Sequence, residues 1–156
     1  MLTQNKNNEF VNSIIDENFT PYLAAKRSED FQQWLLGSYK NKTNFDLASE
    51  MQNRFEAEAV EPAWAQLQEQ NIRNEFSNNQ ELAGAALKDI KCRSSQCQIT
   101  INVADVEQAN TWVNQTAKAL NLSVTQKMII ATPNITKNMT ALYIDIGSEG
   151  FNFQEP

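Results

Sequence analysis

The sequence predicts an α+β fold, with N-terminal helices followed by a β-β-α-β-β antiparallel sheet that carries one helix on its face. Three observations predict it. Apolar residues recur every three to four positions as far as residue 76 and every second position from about residue 86, so helices give way to strands. Cys92 and Cys97 frame a four-residue loop between two strand-like segments, as the turn of a hairpin would. A single helix-period stretch, residues 106–120, then separates that pair from two more strand-like runs. On this reading the chain divides into an N-terminal helical segment, 1–45, and an α+β domain, 46–156, within one compact unit.

The helices come first. Phe10, Val11, Ile14 and Ile15 fall on one face of a short helix that Asn18 or Thr20-Pro21 ends. A second face, Phe31, Trp34, Leu35 and Tyr39, follows a Ser28-Glu29-Asp30 start. Asp46 can cap a third helix, in which Leu47, Met51 and Phe55 recur every four residues. Pro62 fits the first turn of a fourth, which turns Trp64, Leu67 or Gln68, Ile72 and Phe76 inward and stops at Ser77-Asn78-Asn79.

The strands follow. Residues 87–91 and 98–103 form the hairpin, and Ile99, Ile101 and Val103 alternate with Gln98, Thr100 and Asn102. Asp105 caps the next helix, whose buried face holds Val106, Ala109, Trp112 or Val113, Thr116 and Leu120. Residues 124–132 and 141–146 supply the last two strands, joined through 133–138; Leu142, Ile144 and Ile146 alternate with Tyr143 and Asp145. The tail, 147–156, contains Phe151 and Phe153 without a regular pattern.

If the hairpin closes at the loop, Cys92 lies opposite Cys97 and Ile90 opposite Ile99. Directly opposed residues on antiparallel strands fall within the reach of a disulfide. A redox motif would favour C-x-x-C at a helix start, and two thiols without histidine make a poor zinc site. A structural disulfide is therefore expected. It points to an oxidising compartment, periplasmic or secreted.

Composition excludes much chemistry. The 156 residues are 41% hydrophobic and 21% charged, ordinary for a globular chain. The net charge of −6 argues against nucleic acid as a partner. With no histidine, the serine and cysteine triads and most zinc catalysis lack their usual base or ligand. Only four glycines occur, none spaced for a phosphate-binding loop, and no EF-hand spacing is present; neither a cofactor nor a metal is expected. No run of residues is apolar enough to span a membrane, and residues 1–8 lack a signal-peptide pattern. Those absences fit either a cytosolic protein or the mature portion of an exported one, and the expected disulfide favours export. Asn (19) and Gln (14) make up about a fifth of it, dispersed over polar positions as a solvated surface.

One pair of motifs is specific. The segment Phe55-x-x-Glu58-x-x-Glu61-x-x-Trp64-Ala65, followed by Cys92-Arg93-Ser94-Ser95-Gln96-Cys97, resembles a group of small exported proteobacterial proteins. These share an F-x-x-E-x-x-(D/E)-x-x-W-A segment ahead of a C-R-(S/T)-x-x-C hairpin. The resemblance covers about residues 50–103 and implies the fold, the disulfide and export, with no activity attached. Here Glu61 stands where the group has Asp.

Glu56, Glu58 and Glu61 form the one acidic cluster near aromatic residues. A glycosidase needs two carboxylates about 5–9.5 Å apart across a cleft. Pro62 interrupts the helix on which Glu58 and Glu61 would share a face, so both are read as capping or flanking the start of the Pro62 helix. Ser94 and Ser95 have no base to activate them. No catalytic residue is assigned, and Trp64 and Trp112 are read as core. The function expected is a non-catalytic binding module whose partner is another protein or a second copy. A carboxylate-dependent hydrolase of cell-wall glycan is the competing reading. The candidate interaction surface is the two N-terminal faces, Phe10, Val11, Ile14, Ile15, Phe31, Trp34, Leu35 and Tyr39.

Overall fold

The structure, a computed structural model, describes residues 28–121 and 129–146. It has the predicted α+β architecture. Helices α1 (Ser28–Asn41), α2 (Leu47–Ala57) and α3 (Pro62–Asn78) precede strands β1 (Ala86–Cys92) and β2 (Gln96–Asn102). Helix α4 (Val106–Ala119) and strands β3 (Ile129–Asn134) and β4 (Met139–Asp145) follow. The sheet is antiparallel throughout, in the order β1-β2-β4-β3.

Local sequence accounts for the element ends. Asp46 starts α2 by accepting from the Ser49 N–H at 3.0 Å and from the Ser49 hydroxyl at 2.7 Å. Asp105 starts α4 by accepting from the Gln108 N–H at 2.8 Å. In return, the Gln108 side chain accepts from the N–H of Ala104, the residue before the cap, at 2.9 Å, so the chain is tied down on both sides of the helix start. Pro62 sits in the first turn of α3, where its missing N–H costs nothing. Three asparagines, Asn44, Asn121 and Asn138, take positive φ at turns, a conformation Asn tolerates better than most residues. Pro133 lies inside β3 and not in the connection, a place open to proline because β3 is an edge strand.

Both faces of the sheet are covered. On one face Ile90, Ile99, Ile101, Leu142, Ile144 and Ala131 are buried under α3 and α4. Val113 and Ala117 of α4 and Ile72 and Phe76 of α3 supply the helical side. On the other, Ile130 and Tyr143 are buried with Trp34 and Leu35 of α1 and Met51 and Phe55 of α2. The physical cause is the consecutive apolar runs Ile129-Ile130-Ala131 and Leu142-Tyr143-Ile144, which leave neither face of β3 or β4 polar enough for water. The alternation read from the sequence turned Tyr143 and Asp145 outward; the structure buries them to 1% and 4% exposure. Leu67 departs in the other direction. It was one of two alternatives for an inward position on α3 and is 58% exposed.

Trp34 and Leu35, candidate interaction residues by sequence, are thus occupied within the chain, and Tyr39 stacks edge-on against Phe45 at 4.9 Å. Phe10, Val11, Ile14 and Ile15 lie outside the described residues, as does the side chain of Phe31.

Candidate functional site

The hairpin turn is where the sequence motifs meet. Cys92 and Cys97 pair directly across β1 and β2 and are bonded, with Ile90 opposite Ile99 in the same register. The Arg93 N–H donates to the Gln96 carbonyl at 2.9 Å and closes a tight turn over Ser94 and Ser95. In that turn three successive N–H groups point the same way, a concavity suited to an anion.

Glu58 fills it. Residue 58 ends α2, its own N–H donating to the Phe55 carbonyl at 3.2 Å while its backbone turns extended. That exit carries the carboxylate into the turn. It accepts from the N–H groups of Ser94 (2.9 Å), Ser95 and Gln96 (3.0 Å), from the Ser95 hydroxyl (2.8 Å) and from the Gln96 side-chain amide (3.1 Å). Arg93 reaches the same corner, donating to the Glu58 carbonyl at 3.1 Å with its guanidinium 5.1 Å from the Phe55 ring centre. Phe55 in turn meets Tyr143 edge-on at 6.1 Å. The F-x-x-E and C-R-S-x-x-C segments are therefore two halves of one clamp. From the other side, Glu69 of α3 accepts from the Cys92 N–H at 2.9 Å.

This overturns one reading of the acidic cluster. Glu61 does occupy the position that precedes α3, yet its side chain makes no capping bond, and Glu58 caps the hairpin instead of the Pro62 helix. The reason is reach: the extended backbone after α2 aims residue 58 at three unpaired donors, a better set than one helix end offers.

The chemistry of this site is that of a fixed anion. Partial burial pushes the Glu58 pKa up, but the hydrogen bonds from Ser95 and Gln96 outweigh it and hold the carboxyl below its ordinary range. An acid held ionised, its lone pairs committed to five donors, is poorly suited to proton donation. Alongside it, under α2, the Tyr143 hydroxyl donates to Gln52 at 2.9 Å and accepts from Gln98 at 2.9 Å, and Gln52 donates to Glu56 at 2.6 Å. Burial, and then the Glu56 charge, raise the Tyr143 pKa, against a lowering by Gln98. Among the described residues no group of three or more acidic or cysteine side chains is placed to hold a metal ion.

A second feature is a groove of about 520 Å³ between α3 and the end of α4. Gln68, Asn71, Asn74 and Glu75 line its α3 side, Leu120 and Asn121 face them, and Ile72, Ile144 and Ile146 contribute apolar surface. No lysine or arginine lines it among the described residues. The apolar period of α3 does not mark this stripe; the spacing of 68, 71 and 75 along one side of a helix is the signal for it. Glu69, Gln52 and Gln98 had no such signal, since their partners are distant in the chain.

Fold and site together define a sheet with helices on both faces, whose central hairpin is bonded by a disulfide and clamped by a carboxylate. Compared with known proteins, the chain matches no family model, no curated protein and no solved structure.

Proposed function

We propose that the chain is a non-catalytic, periplasmic or secreted module that works by binding another protein or a second copy of itself. The observation that carries this reading is the engagement of Glu58. The best-placed acid of the sequence cluster is committed to the hairpin as an ionised acceptor, and so is a poor candidate for acid/base chemistry. The disulfide supports export, as does the resemblance to small exported proteobacterial proteins. No helix among the described residues is long and apolar enough to cross a membrane. The groove between α3 and α4 is the concave surface offered to a partner. Its amides both donate and accept, and its one carboxylate, Glu75, favours a neutral or basic segment. A glycan hydrolase would need two carboxylates across a cleft, and this groove presents Glu75 alone among the described residues.

The test is site-specific photocrosslinking in the cell envelope. A photoreactive residue at Asn71, on the groove rim, is expected to trap a discrete partner that one at Glu107, exposed on α4, does not. In parallel, release of soluble fragments from purified peptidoglycan that is lost in Glu75→Gln would overturn the binding reading in favour of the enzyme.

A further inference from the structure

We propose that Glu58 is a positioning residue for the Cys92–Cys97 disulfide, so that formation of the bond and docking of α2 on the hairpin reinforce each other. Two constraints act on the same turn. The disulfide holds its base, where Cys92 faces Cys97, and the carboxylate holds its tip, where the N–H groups of Ser94, Ser95 and Gln96 converge. Both require one backbone conformation. A group that favours one of two states is favoured by that state to the same extent, so the coupling runs both ways. Glu58 keeps the reduced chain in the turn that brings one thiol to the other, and oxidation preforms the concavity that Glu58 fills.

The coupling extends beyond the turn. Arg93 follows Cys92 directly, donates to the Glu58 carbonyl and lies over Phe55, which packs on Tyr143 within the core shared by α1 and α2. Oxidation state at the hairpin is thereby transmitted to the helical layer on the opposite face of the sheet from the disulfide. The consequence is a chain whose α1–α2 layer is held most firmly once it has been oxidised, the condition met after export. This inference is independent of the groove and of any binding partner.

The reaction that reads the coupling is reduction by dithiothreitol. The Cys92–Cys97 bond breaks and takes up two electrons and two protons. Both come from the two thiols of the reagent, which closes to its own cyclic disulfide. Oxidised protein is equilibrated with mixtures of reduced and oxidised dithiothreitol, quenched, and its free thiols counted. Glu58→Gln is expected to shift the equilibrium about fivefold toward the dithiol, the part of its discounted contribution that depends on the disulfide-held turn. Glu61→Gln, which removes a charge with no capping bond, is expected to stay within about twofold of wild type. A Glu58→Gln constant as close to wild type as that would overturn the proposal.

Wild-type protein gives a second readout that needs no variant. On reduction, hydrogen exchange at Met51 to Phe55 in α2 is expected to accelerate while that at Val113 to Ala117 in α4 does not. No change in α2, or equal acceleration in both helices, would overturn the proposal, because the disulfide would then be an isolated or a general staple.

Discussion

Replacing Glu58 with glutamine tests the clamp as a source of stability. The variant keeps one carbonyl oxygen for the three turn N–H groups but loses the charge, and it presents an NH2 where the second carboxylate oxygen accepted from the Ser95 hydroxyl and the Gln96 amide. Charge-assisted hydrogen bonds contribute about 1.5–3 kcal/mol each when buried. Glu58 is partly exposed, and water recovers much of that, so the net loss is about 1–2 kcal/mol. Urea denaturation of the oxidised protein at neutral pH measures it directly, and the corresponding drop in Tm is about 2–8 °C for a chain of this size. The pH dependence identifies the mechanism. A carboxyl whose folded pKa is depressed stabilises the fold above its unfolded value, about 4.3, and loses that contribution as the pH falls through the lower folded value. The gap between wild type and Glu58→Gln is therefore full at pH 6–7 and narrows as the pH falls below about 4. A gap that persists unchanged at pH 3, or a variant as stable as Glu61→Gln, would refute the assignment of Glu58 as an ionised acceptor.

The hydroxyls of Thr116 and Thr140 are buried without a hydrogen-bond partner, so Thr116→Val and Thr140→Val are expected to be neutral or to raise stability by up to about 1 kcal/mol in the same assay. Ile99→Ala, at a fully buried central-strand position, should cost about 2–5 kcal/mol by urea denaturation and leave a cavity beneath α3 and α4. Truncation through residue 41 removes Trp34 and Leu35 from the second core and is expected to cost about 3 kcal/mol or more on calorimetric melting. A truncated chain of unchanged Tm would mean that α1 does not stabilise the sheet. Leu67→Gln, at an outward position, should change the urea midpoint by less than about 0.5 kcal/mol equivalent.

Much of the fold was legible because it depends on neighbours in sequence. Asp46, Pro62 and Asp105 each start a helix through groups within four residues, so their spacing is enough to place the helix. The hairpin was legible for the same reason. A loop of four residues between cysteines fixes a register, and that register sets Ile90 against Ile99. Alternation failed at β4. Tyr143 and Asp145 follow the polar beat of a strand with one wet face, and nothing local announces that both are buried, Tyr143 beneath α2. The candidate interaction surface had the same weakness: an apolar helical face is visible in sequence, but what covers it is not.

The clamp separates the two levels most clearly. Its parts are local: a helix ending near Glu58, a disulfide-closed turn at Arg93 to Gln96, and two cysteines that can face each other. That they meet is a matter of tertiary packing, because Glu58 and its backbone donors, 36 to 38 positions apart in sequence, are brought together by α3 packing against β1. Local backbone preferences act over a few residues and leave their mark in spacing. A carboxylate paired with donors that far along the chain is selected by the fold as a whole, through burial of both sheet faces, and no periodicity records it.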